Sequence, residues 1–204
     1  MPLALDHLVF AGPDLAATVD LVTELTGVVP APGGRHLGRG TANYLADLGT
    51  GAYLEIIGPD PAQPDPRHPR PFDIDSLTEP ALVSWALRTT DLDATIATAR
   101  ANGYDPGDPR EMSRDTTDGE RLHWRLTTPD DLTPFLIDWG ETPHPTTRGL
   151  PSLPLLNLSA THPDPQALAA VTNALEFDLP IHRADRPSLT ATLRRPDARE
   201  VVLT

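Results

Sequence analysis

Three stretches of this sequence open in the same way, and that repetition constrains the fold more than any other feature. They are "LDHLVFAGPDLAATVDLVTELTG" (Leu5–Gly27), "LVSWALRTTDLDATIATARANG" (Leu82–Gly103) and "LLNLSATHPDPQALAAVTNALEF" (Leu155–Phe177). Each begins with an apolar run, passes through a short polar turn, and reaches an aspartate that can cap a helix: Asp14, Asp91 and Asp164. An aspartate there accepts hydrogen bonds from the free amides of the first turn. Apolar residues then recur at helical spacing: Leu15, Val19, Val22 and Leu25; Leu92, Ile96 and Ala99; Leu168, Val171 and Leu175. Gly27 and Gly103 follow the first two helices, where a left-handed cap favours glycine, and Pro165 opens the third. The caps lie 77 and 73 residues apart, so the chain is an internal repeat.

Strand-like runs follow each helix. In the first unit they are Arg35–Leu37, Thr41–Leu48 and Ala52–Ile57; in the second, Pro109–Arg114, Arg121–Thr127 and Thr133–Trp139, split by the turns "TTDG" and "TPDD". The third offers Ser188–Arg194 and Glu200–Leu203. The pattern predicts an α+β fold of βαβββ units, with a partial third βαββ unit. Residues 1–58 and 81–142 are the two units, a Pro-rich connector spans 59–80, and 143–204 packs as the partial third on the same domain. Each small sheet gives one face to its helix, so the other must be covered or must line a cavity.

With no cysteine, disulfides, thiol nucleophiles and thiolate zinc sites are excluded. A net charge of −13 repels nucleic acid and anionic lipid, and no local basic cluster offsets it. No apolar run approaches a membrane span and the N-terminus lacks a secretory leader, so a cytoplasmic protein is expected.

The loop "GGRHLGRGTANYL" (Gly33–Leu45) invites a phosphate-cradle reading, but it matches neither the P-loop nor the dinucleotide pattern. No helix follows directly to supply an N-terminus for phosphate. Its glycines read as turn residues at the ends of short strands. Mid-strand, Glu55 shares a face with Tyr53 and Ile57; a carboxylate there must be paired, liganded or solvated in a cavity. His68, His144, His162 and His182 read as solvated loop residues.

The segments "LDHLVFA", "GGRHLGRGTANYL", "AYLEIIG", "VSWALRTTDLDA", "RLHWRL" and "TPFLIDWG", in that order, resemble the vicinal-oxygen-chelate superfamily, and most closely its glyoxalase-like domain proteins. The resemblance implies a cupped mixed sheet with helices outside and a small molecule or a divalent metal in the cup. Carried over residue by residue, it places metal ligands at His7, Glu55 and Asp138, with Ile137 replacing Asp138 if the register slips by one. Ser84 stands where a second histidine would be expected, so the ligand set departs from the pattern. Glu55 and His36 become the catalytic candidates; Asn43, Tyr53, Ser84, Arg114 and Trp124 become substrate-binding candidates. Arg114 reads either as a bidentate partner for a substrate carboxylate or as a surface residue offsetting acid. The implied activities are a lyase, isomerase or dioxygenase dependent on Zn, Mn, Ni or Fe. The rival is a metal-free binding protein of the bleomycin-resistance type. A homodimer is common in the superfamily, whereas nucleic acid and membrane partners are not expected.

Overall fold

A computed structural model describes residues 3–116, 119–128 and 132–204. The "TTDG" and "TPDD" turns fall partly at 117–118 and 129–131, outside the described residues. The first unit runs β1 (Ala4–Ala11), α1 (Leu15–Thr26), β2 (Ala31–His36), β3 (Thr41–Gly49) and β4 (Ala52–Pro59). The second runs β5 (Ala81–Arg88), α2 (Leu92–Ala101), β6 (Arg110–Thr116), β7 (Arg121–Leu126) and β8 (Phe135–Asp138). The third runs β9 (Leu155–His162), α3 (Pro165–Ala174), β10 (Ile181–Arg183), β11 (Ser188–Arg194) and β12 (Glu200–Leu203). The three-residue β10 goes beyond the two late strands the sequence pattern suggests.

All three aspartates cap as their spacing demands. Asp14 accepts from the Ala17 amide and Asp91 from the Ala94 amide, both at 3.0 Å. Asp164 accepts from Gln166 and Ala167. Gly27, at φ 74°, closes α1 in the left-handed conformation and donates its amide to the Thr23 carbonyl.

Strands β1 to β8 form a closed barrel in the order β1-β4-β3-β2-β6-β7-β8-β5. Within each unit the first strand pairs parallel with the last, β1 with β4 and β5 with β8. The units then join through like strands, β1 against β5 and β2 against β6, both antiparallel. This pairing of like with like gives the barrel an internal pseudo-twofold. Strands β10-β9-β11-β12 form a separate sheet.

Strand alternation separates two hydrophobic cores. Leu8, Phe10, Leu54, Ile56, Trp85 and Leu87 point outward and pack with α1, α2 and the third unit. Val9, Tyr53, Ile57, Trp124, Phe135 and Ile137 point into the barrel. Each fully buried Leu or Ile contributes roughly 2 kcal/mol, so the outer layer stabilises the barrel while the inner face serves its cavity.

One irregularity matters for the site. The β1–β5 register shifts between Leu5 and His7. A bulge of this kind breaks simple alternation. Leu5 therefore packs with the outer cluster, and not on the face of His7 and Val9.

Candidate functional site

The barrel encloses a cavity of about 810 Å³. His7 reaches it from β1, His36 from β2, Asn43 from β3, Tyr53 and Glu55 from β4, Ser84 from β5, Arg114 from β6 and Trp124 from β7. Eight candidates named from the sequence thus converge on one space.

Asp138 does not join them. Phe135, Ile137 and Trp139 line the cavity, and alternation turns Asp138 to the outside. There its carboxylate accepts hydrogen bonds from the Leu92 amide at the start of α2 and from the Gly140 amide. The expected ligand role for Asp138 is corrected: its carboxylate helps hold α2, and Ile137 takes the inward position.

Glu55 sits at the centre, 7% exposed. One carboxylate oxygen accepts a short hydrogen bond from the Asn43 side-chain amide. His7 Nε2 lies 3.8 Å from its second oxygen and His36 Nε2 lies 3.9 Å from the first. On its other side, Asn43 accepts from the Arg114 guanidinium at 2.7 Å. Arg114, Asn43 and Glu55 therefore form a chain in which a neutral amide separates a cation from an anion. Arg114 is 4% exposed, so the surface reading of this residue is overturned. Burial pulls its pKa below the usual arginine value, while Tyr53 and Glu55 nearby oppose that shift.

Burial also sets the state of two further walls. His36 has its pKa lowered to about 4, mainly by desolvation, which outweighs the attraction of Glu55. At neutral pH it is an uncharged hydrogen-bonding group, with Nδ1 3.1 Å from the Thr41 hydroxyl. The Tyr53 hydroxyl is pushed well above its ordinary value, first by burial and then by Asp6 and Glu55.

Behind His7 lies a network that sequence spacing does not reveal. Asp6 is fully buried and lies 2.6 Å from His7 Nδ1, 3.0 Å from His144 Nε2 and 3.1 Å from the Trp139 indole nitrogen, which donates to it. Burial alone would raise the Asp6 pKa; hydrogen bonds from His144 and His7, with their charges, hold it well below the carboxylate range. His144 is therefore no solvated loop histidine: it is anchored on Asp6 across 138 residues. A carboxylate on Nδ1 orients the ring and presents Nε2 to the cavity.

Aromatic rings complete the walls. Tyr53 stacks on His7 with centroids 4.6 Å apart, and Trp124 lies 5.2 Å from Trp139. At the mouth, Phe72 and Asp73 from the connector border the cavity. Arg70 ties that segment down through Asp65, Asp75 and the Gly40 carbonyl.

The residues do not fit a resident divalent metal. Unit two brings Ser84 and Ile137, neither of which is a strong metal ligand, to the cavity from its first and last strands. The Asn43 amide already occupies one oxygen of Glu55, and a guanidinium stands beyond it. Among the described residues, no group of three His, Asp or Glu side chains is arranged to hold an ion.

The sequence matches the family described as Glyoxalase-like domain over residues 5–176. No curated protein matches. Among solved structures, a hypothetical protein from Staphylococcus aureus is 14% identical with a TM-score of 0.63, covering 99% of this chain and 85% of that one; the likeness is one of fold. A methylmalonyl-CoA epimerase from Mycobacterium tuberculosis is 21% identical with a TM-score of 0.44, covering 66% of this chain and 86% of its own. The Streptomyces coelicolor methylmalonyl-CoA epimerase in complex with 2-nitronate-propionyl-CoA is 19% identical with a TM-score of 0.45, covering 71% and 100%.

Proposed function

The chain belongs to the glyoxalase-like domain family of the vicinal-oxygen-chelate superfamily, and from that premise we propose that its barrel binds a small organic molecule on which Glu55 carries out proton transfer. The supporting observation is the placement of Glu55: a carboxylate lining a largely apolar cavity, held by Asn43 and flanked by His7 and His36. Burying a carboxylate in such a place is costly, and a base beside a bound carbonyl compound is the chemistry that uses it.

Glu55 takes a proton from the carbon beside a substrate carbonyl. The C–H electron pair forms the C=C bond of an enolate, and the carbonyl π pair moves onto oxygen. Arg114 and neutral His36 supply hydrogen-bonding groups for that oxygen. Protonated Glu55 then returns the proton to carbon, which gives an isomerase; expulsion of a neighbouring leaving group would give a lyase. Asp6 positions His7, and His7 in turn limits where Glu55 can swing.

A second reading, ligand sequestration without reaction, is favoured by the aromatic wall of Trp124, Trp139, Phe135 and Tyr53. Deuterium uptake from solvent into a panel of 2-oxo and 3-oxo carboxylates, followed by NMR, separates the two. Wild type is expected to catalyse exchange in at least one compound, and Glu55→Gln to slow it by about 100-fold or more. Compounds that bind without any exchange above background would replace proton transfer with sequestration.

A further inference from the structure

We infer that the occupant of the barrel carries a carboxylate, attached to a flat apolar body, and that Arg114 selects it. This deepens the proposed function and rests on the barrel being a small-molecule site.

The chain has 29 acidic residues against 16 basic ones, and its arginines are mostly well served. Arg70, Arg100, Arg121 and Arg125 each meet a carboxylate at 2.9 Å or less, all on the outside of the molecule. Arg114 is buried far more deeply than any of these, yet no carboxylate lies within 4.0 Å of it among the described residues. Its one described side-chain bond goes to a neutral group, the Asn43 carbonyl oxygen. A guanidinium has five N–H donors in a planar fork and does not lose its proton in proteins. A buried cation with most of that fork unused calls for an anion in the adjoining space.

The backbone reserves room for this arrangement. Gly33, within β2, lies so close that a Cβ there would overlap both Asn43 Oδ1 and Arg114 Nη1. The glycine is therefore a spacing device inside a strand, and not the turn residue its sequence context suggests. The amide of Asn43 also keeps Glu55 from closing onto the guanidinium as a direct ion pair. The cation stays available to a ligand and the base stays free to act.

The shape of the site indicates the rest of the ligand. Trp124, Met112 and Leu126 line the cavity from the same hairpin as Arg114. A planar carboxylate matches the fork bidentately, and a planar body suits the flat faces beside it. The mouth carries one charge of each sign, Arg39 and Asp73, so discrimination falls to Arg114 at depth.

Calorimetric titration of the full chain with benzoate, phenylacetate and phenylpyruvate, against benzamide and phenylacetamide, tests the inference. Wild type is expected to bind a carboxylate at least about tenfold more tightly than its amide. The ratio should collapse in Arg114→Met and fall partway in Arg114→Lys, which keeps the charge but loses the fork. Glu55→Gln should retain the preference. The ligand-free Tm of Arg114→Met should be unchanged or raised; should that variant not fold, Arg114→Lys carries the comparison. Equal affinity for carboxylate and amide, no carboxylate binding at about 10 mM, or an unchanged ratio in Arg114→Met would each overturn it. Solvent exchange without carboxylate preference would overturn this inference and leave proton transfer standing. Carboxylate binding without exchange would do the reverse.

Discussion

At the scale of single residues, burial decides what each group in the barrel can be. His36 is the clearest case. Its folded pKa is about 4 against 6.5 for an ordinary imidazole. Between those values the unfolded chain binds the proton and the folded chain does not, so stability is intact above pH 6.5 and falls as pH drops towards 4. The loss should reach roughly 3 kcal/mol, and urea unfolding of wild type and His36→Asn across this range will measure it. The variant should show a flatter profile; an equally steep one would place the titration elsewhere. How far such residues are legible depends on strand geometry. Glu55 is legible because a charge between Leu54 and Ile56 contradicts a buried strand. Asp6 is not, because alternation puts it opposite His7, and only the bulge between Leu5 and His7 brings the two side chains together. Arg114 gives no sign of its burial, since the strand around it is mostly polar: Glu111, Ser113, Asp115.

At the scale of elements, the repeat carried most of the information. The caps and helices follow from local chemistry, and three copies reinforce one another. What local pattern could not settle was register. A single residue of slip decides whether Asp138 or Ile137 faces the cavity, and β8 has only four residues to show its alternation. The glycines of β2 raise the same problem, because a space-making glycine and a turn glycine look alike in sequence. Gly33→Ala is expected to keep the fold at a cost of about 1–3 kcal/mol, to displace the Arg114–Asn43 pair, and to abolish carboxylate binding. Thermal melts together with titration check this; unaltered binding would show that the pair shifts without consequence.

For the whole molecule, the pseudo-twofold explains why one chain makes one complete barrel. β1 and β5 meet as equivalents, as do β2 and β6, so the cavity takes walls from both units. The units have nonetheless diverged: the first supplies His7, His36, Asn43, Tyr53 and Glu55, and the second supplies Ser84, Arg114, Trp124, Phe135 and Trp139. The third unit shares the outer core, with Leu189, Ala191 and Leu193 in the same cluster as Trp85 and Leu87, and with the Phe177 ring 5.3 Å from Trp85. Cutting the chain after residue 154 would bare that apolar face, and size-exclusion chromatography is expected to show aggregate. A monomer with unchanged Tm would mean the third unit is dispensable to the barrel. No helix among the described residues is long and apolar enough to cross a membrane.

If Glu55 is the base proposed above and His7 only positions it, neither residue holds an ion. Elemental analysis of protein purified without chelator, followed by titration with Mn(II), Fe(II), Ni(II) and Zn(II), is the measurement that decides this. Metal far below one equivalent is expected, with no shift in Tm with any of the four. Near-stoichiometric metal that disappears in His7→Ala would contradict it, and would make Glu55 a ligand before it is a base.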